Sequence, residues 1–543
     1  MNNSNNTMNT FKSLSLTAVT ALLLTSCGST GNIISTPVKN IDNTPLKVSE
    51  LTTKEKQSWG HLDLIQDTIP GMSVNKAYNQ IIKRKKGNTV IVAVIDSGID
   101  IDHEDLDGVI WKNKNEIPNN GKDDDNNGYI DDIHGWNFLG DGYNEQLEYV
   151  RILASKDTKN PDYEKAKKEY EEDYEKYTNY KTNYEKTLQQ ITTADQGLAK
   201  HFNNKNYTKA DVNAIKTEDK TIQQYASILK YVYSLDMDNA AAFIKELSNG
   251  LESINDHLNY NLNTTFNGRV NGDDPNNFAT KYYGNGNVKP VKKSESHGTH
   301  VAGIIAAERN NGKGANGVAN NVKIMSLRAV PNGDEYDKDI ALAIRYAVDN
   351  GASIINGSFG KYYSPHSDWV RDAIAYAGKN DVIFVNAAGN DGIDLDTKNV
   401  YPNDALGTGP EVSNTFITVG ALAPKYGSGM LAGFSNYGKV NVDVFAPGDK
   451  IYSTTPQNEY DTKGGTSMAA PAVAGVAALI RSQYPNLKAH QVKQIIMDSG
   501  LSVPSKLVVG GDNTNVKALK EISKSAKIVN AYNALIQASK IAQ

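Results

Sequence analysis

Three residues of this chain carry side chains suited to nucleophilic acyl transfer, and each sits in a short glycine-bearing motif. Asp96 lies in V-I-D-S-G-I-D, His297 in H-G-T-H-V-A-G and Ser467 in G-T-S-M-A-A-P. A serine hydroxyl is a weak nucleophile until a base takes its proton. An imidazole, with an unperturbed pKa of about 6.5, can do this near neutral pH and return the proton to a leaving amine. A carboxylate ending a buried strand needs a partner, and holding that imidazole in its productive tautomer provides one. Ser467 follows Gly464-Gly465-Thr466 and precedes small apolar residues, a pattern that starts a tightly packed helix. Backbone N–H groups at such a start favour the negative charge that develops in acyl transfer. Gly298 lets the backbone beside His297 approach a neighbour closely. His300 raises a zinc reading of H-x-x-H, but zinc-binding helices space their histidines i, i+4 with a glutamate between, so His300 is read as structural.

These groups are far apart in sequence, so the elements around them must bring them together. Thr89–Ile95 is a continuous β-branched run ending at Asp96, the pattern of a strand buried on both faces of a parallel sheet. Similar runs recur at Val322–Leu327, Ser353–Ile355, Val382–Asn386, Phe416–Val419 and Val442–Phe445, with helical patterns at Lys338–Asp349 and Ser367–Lys379. The alternation predicts an α/β domain of three layers around a mostly parallel sheet, in which the carboxyl ends of strands host the chemistry. Asp96 and Asn386–Asn390 fall at such ends.

The order Asp, His, Ser differs from the His, Asp, Ser and Ser, Asp/Glu, His orders of other serine hydrolases, and Ser467 lacks the G-x-S-x-G of lipases and esterases. Together the three motifs resemble those of subtilisin-like serine proteases, the subtilase family, over residues near 61–140 and 270–543. The resemblance implies a subtilisin-like fold and a serine endopeptidase that cleaves polypeptides through an acyl-enzyme. It also implies that Asn390, in V-N-A-A-G-N, donates its amide to the oxyanion. Asn356-Gly357-Ser358-Phe359-Gly360 is similar to the segment that pairs with the substrate backbone, with Ser358, Phe359 and Gly360 as its binding residues; Gly357 stands where a larger residue is usual. A rival from another class is a vestigial binding or adhesion lipoprotein using inserted helices. The intact catalytic groups argue against it.

Asp123-Asp124-Asp125-Asn126-Asn127-Gly128-Tyr129-Ile130-Asp131-Asp132 is a metal signal. Asp123, Asp125 and Asn127 alternate before Gly128 as in an EF-hand loop, Tyr129 offers its carbonyl, and Asp131 or Asp132 must complete the shell because His134 occupies the twelfth position. The ligand set this pattern predicts is Asp123, Asp125, Asn127, Tyr129 and Asp132, for a structural Ca²⁺. Gly272-Asp273-Asp274-Pro275 is a weaker candidate.

A net charge of −5 over 543 residues gives no case for nucleic acid as a partner. The lone cysteine, Cys27, rules out an intrachain disulfide. It follows the short apolar run 14–24, and Leu24-Thr25-Ser26-Cys27 resembles a bacterial lipoprotein box. The expected organisation is a signal peptide at 1–26, a lipidated Cys27 and polar tether at 27–60, and catalytic parts at 61–144 and 266–543. The expected location is extracytoplasmic, with the lipid anchored in the bacterial envelope at the outer membrane.

The 201 residues from Asp96 to His297 exceed what a compact family member needs, and the excess lies at 145–265. Asn160-Pro161 starts a helix in which Tyr163, Tyr170, Tyr177, Tyr184 and Ile191 recur every seven residues, with further helical stretches at Ile222–Leu235 and Asn239–Asn259. This predicts an inserted helical hairpin or bundle. Packing between its helices explains the tyrosine stripe, and a protein partner is the alternative use.

Overall fold

The protein was studied as a computed structural model, and the structure is described for residues 47, 49–235, 237 and 239–543. Cys27 and the apolar run before it lie outside the described residues. Seven strands form one sheet: β1 (Val90–Asp96), β2 (Gly135–Asn137), β3 (Val322–Arg328), β4 (Ile354–Gly357), β5 (Ile383–Ala387), β6 (Phe416–Leu422) and β7 (Val444–Pro447). Their order is β2-β3-β1-β4-β5-β6-β7, and every neighbouring pair is parallel. The predicted strands appear within a few residues of their expected bounds. Strand β2, only three residues long, is too short to leave a periodic signal and was not foreseen.

Between β2 and β3 run helices α1 (Tyr163–Phe202), α2 (Lys220–Ser234), α3 (Ala240–Asp256) and α4 (His297–Ala306). After β3 come α5 (Asp337–Asp349), α6 (Ser367–Lys379), α7 (Thr466–Gln483), α8 (Ala489–Ser499) and α9 (Ala531–Ile541). One face of the sheet, with Val92, Val94, Ile324, Ile354 and Val385, packs on α4, α7, α8 and α9. The other, with Ala93, Ile95, Leu327, Ile355 and Phe384, packs on α5 and α6. Alternate residues of β1 therefore bury in opposite layers, which explains why its sequence is apolar throughout. Each fully buried Val or Ile contributes about 1.5–3 kcal/mol, so the site rests on a rigid strand.

Helix α1 extends over 40 residues. Its C-terminal half, through Ile191, Ala194 and Leu198, packs with α2 and α3 around Leu229, Val232 and Ala240. Its N-terminal half does something else: Tyr163, Tyr170 and Tyr177 pack with Tyr149, Val150, Leu262, Tyr362 and Tyr363. The tyrosine stripe thus does more than join the helices to one another. It also seats α1 on the segment that follows Gly360.

The expected tether boundary at residue 60 is corrected. Residues Thr53–Ser58 form a helix closed by a Thr52–Glu55 capping box, and Trp59 is buried with its Nε1 donating to the carbonyls of Asp449 and Lys450 at 3.1 and 3.0 Å. The helix is polar on all sides, which made its sequence read as linker.

Candidate active site

Strand β1 ends at Asp96, and α4 begins at His297 directly against it. A Cβ on Gly298 would stand 2.5 Å from the Ser97 carbonyl oxygen, so only glycine permits the approach. Asp96 Oδ1 accepts from His297 Nδ1 at 2.7 Å and from the Ser97 N–H at 2.7 Å, while Oδ2 is buried with no partner. With Nδ1 committed as donor, the lone pair of Nε2 is the one available to a substrate or nucleophile. Burial of the ring opposes its charged form, but Asp96 outweighs this by charge and hydrogen bond. The net effect holds His297 above its usual pKa, with Lys463 pulling the other way.

Ser467 is the second residue of α7. Its Oγ donates to the Ser358 carbonyl at 3.1 Å, and Ser358 Oγ donates back to the Ser467 carbonyl at 2.9 Å. The serine hydroxyl is thus turned to Ser358 and not to His297. Both groups line one cleft of about 360 Å³, together with Ser358, Phe359, Gly360 and Asn390. Contacts between nucleophile and base often tighten only when substrate binds.

Asn390 is fixed by Thr466, whose N–H and Oγ1 both donate to Asn390 Oδ1, at 2.8 and 3.0 Å. Thr466 Oγ1 also accepts the Gly389 N–H at 2.9 Å. With Oδ1 so occupied, Nδ2 of Asn390 is left to donate, beside the first N–H groups of α7. That is the donor pair an oxyanion needs. Thr466 itself was missed as a positioning residue, although its place beside Ser467 was the available signal. Phe359 is buried, and Asn356 Nδ2 donates to Ser358 Oγ at 2.9 Å, which stiffens the strand edge. At Gly357 a Cβ would meet the Phe384 ring at 2.9 Å, so Phe384 fills the space a larger residue would take.

His300 is fully buried, its Nε2 is 3.1 Å from the Asp461 carbonyl oxygen, and burial pushes its pKa down to about 3. It belongs to the packing.

In the acidic loop, Glu116, Asp123 and Asp125 bring one oxygen each within 4.8 Å of one another. Glu116 is far enough upstream that the loop pattern did not include it. Asp123 accepts from the N–H groups of Asn127 and Gly128 at 3.0 and 2.8 Å, and the Asn127 side-chain Oδ1 accepts the Tyr129 N–H at 2.8 Å. Asp132 stands apart from that trio: its oxygens accept from Asn113, Asn127 and the Tyr346 hydroxyl. Burial raises its pKa to about 6. The ring of Tyr129 is buried against Trp136 and Tyr346. The weaker candidate at Asp273 is corrected, because Arg269 and Lys338 already occupy its carboxylate.

The subtilase family model matches residues 87–521. A thermophilic serine proteinase of Bacillus sp. (strain AK1) is 44% identical over 192 residues, 35% of this chain and 44% of that protein. Subtilisin DY of Bacillus licheniformis is 35% identical over 223 residues, covering 41% of this chain and 76% of the relative. Thermitase of Thermoactinomyces vulgaris is 37% identical over 198 residues, 36% of this chain and 65% of the relative. The match runs from the start of β1 past α8, through every element that holds the cleft, and the chain belongs to the subtilase family.

Proposed function

We propose that this chain is a serine endopeptidase, and the observation that carries the reading is the Asp96–His297 pair opening onto the same cleft as Ser467 and Asn390. An extended substrate lies along Ser358–Gly360 as an added strand, held by backbone hydrogen bonds that make no demand on its sequence. The Ser467 hydroxyl leaves the Ser358 carbonyl and attacks the scissile carbonyl carbon as His297 Nε2 takes its proton. The oxyanion of the tetrahedral intermediate is met by Asn390 Nδ2 and the Ser467 N–H. Collapse breaks the C–N bond, and the imidazolium gives its proton to the leaving amine. Water, activated by the same imidazole, then frees the acyl group and restores the serine.

Around this core we place three further roles. Calcium fits the loop at Glu116, Asp123 and Asp125, because their oxygens are hard, anionic and mutually close. Asp132 and Asn127 would brace that loop from behind. Bound there, the ion would clamp residues 113–132 in a chain that has no disulfide. Lipidation at Cys27 would hold the enzyme at the outer membrane of a bacterial envelope, outside the cytoplasm, as the motif before it suggests. The helices of residues 145–265 form an insertion whose exposed face, with Tyr174 and Tyr180, is available to a protein partner.

Digestion of casein tests the core reading. The intact protein is expected to degrade it, and the Ser467→Ala variant to leave it whole; equal digestion by both would remove Ser467 from the chemistry.

A further inference from the structure

The acidic side chains lining the cleft, apart from Asp96, are Asp334, Glu335 and Asp391, and no lysine or arginine lines it among the described residues. Glu335 is 3% exposed, and its carboxylate is reached by its own backbone N–H but by no side-chain donor among the described residues. Asp334 accepts the Glu148 N–H at 2.7 Å.

The cations behind this wall are already engaged. Lys361 Nζ donates to Glu148 Oε2 and the Glu335 carbonyl, both at 2.8 Å, and lies 3.0 Å from Asp337 Oδ1. Arg151 is paired with Glu148 at 2.6 Å and donates to the backbone carbonyls of Asp334 and Glu335. Five carboxyls, Glu145, Glu148, Asp334, Glu335 and Asp337, thus share Lys361 and Arg151, with Arg269 also acting on Glu145. Burial pushes the Glu335 carboxyl upward, Lys361 opposes this, and Asp334 adds to it. Across the cleft, Asp391 accepts from the Tyr362 hydroxyl, and Lys398 covers the Tyr362 ring at 3.9 Å from its centroid. Lys463 donates to Ser296 Oγ at 3.0 Å and acts on His297 by its charge. A buried carboxyl short of counter-charge gains most from a cation that arrives already desolvated by the cleft. A substrate carboxylate at the same place offers Glu335 and Asp334 no counter-charge.

We propose that this cleft selects polypeptide segments with a lysine or arginine close to the cleaved bond, with Glu335 and Asp334 as the discriminating residues and Asp391 assisting. The inference rests on the endopeptidase reading and names its substrate class.

Binding to the full chain carrying Ser467→Ala separates the two. The probes are labelled alanine octapeptides with a single lysine or a single glutamate moved through each position. At one or more positions the lysine peptide is expected to bind about tenfold tighter than its glutamate counterpart, the scale of a charge-assisted hydrogen bond. The ratio is expected to shrink severalfold on adding Glu335→Gln or Asp334→Asn. It should also shrink as salt is raised with no further substitution, a measurement that does not depend on the variants folding. Equal binding at every position, or a ratio unmoved by both salt and substitution, would overturn the selectivity. Casein digestion by the unaltered protein reads the endopeptidase activity separately, so loss of either result identifies which inference has failed.

Discussion

Asn390 illustrates how little freedom the site leaves its side chains. Two bonds from Thr466 hold one end of the amide, so the other end has a fixed direction before any substrate arrives. Replacing Asn390 by alanine should lower kcat by about 10²–10³, or about 2.7–4 kcal/mol, a value taken from a member of the family, with KM little changed. In the proposed mechanism His297 sets the pH dependence. It acts as a base only when neutral, and Asp96 holds its pKa above the usual value against the effect of burial. Activity should therefore rise with pH through that elevated value. In Asp96→Asn the midpoint of kcat/KM against pH should move to lower pH, and the plateau should drop by about 10⁴, the size of the same change in another triad. A midpoint that stays in place would show that Asp96 does not govern the imidazole.

At the scale of elements, the site depends on how closely α4 and α7 approach the ends of β1 and β5. Gly298→Ala puts a methyl group into the Ser97 carbonyl, and should cost about 1–3 kcal/mol of stability by thermal or denaturant unfolding, together with activity. Unchanged stability would mean that α4 can retreat freely. The continuous apolar runs, Val90–Ile95 foremost, made the buried strands legible. The short β2 and the polar hairpin Ile451–Thr455 with Glu459–Lys463 carried no such pattern, although that hairpin packs against α4 through Ser453 and Thr454. The seven-residue spacing of tyrosines made α1 visible, but spacing alone could not show that Tyr163, Tyr170 and Tyr177 turn toward Tyr362 and Tyr363.

Over the whole molecule, the residues proposed as the triad stood out because their motifs combine rare residue types in a fixed order, whereas the charge balance of the cleft did not show. Asp334 and Glu335 look like loop residues in N-G-D-E-Y-D, and only the fold shows that Lys361 and Arg151 are already shared with Glu148. The acidic loop has the same history: Glu116 joins Asp123 and Asp125 through folding alone. If calcium occupies it, ligand linkage stabilises the folded state by about 2.7 kcal/mol at a hundredfold excess over Kd. Chelation should then lower Tm, and Asp123→Asn with Asp125→Asn should abolish the calcium response; a Tm indifferent to both would remove the ion from this loop. Labelling with a serine-directed fluorophosphonate, mapped by mass spectrometry, tests the catalytic claim most directly. The expected result is a single adduct on Ser467, with a labelling rate that falls as His297 is protonated. No adduct on the folded, calcium-loaded protein, or an adduct on a different serine, would contradict it.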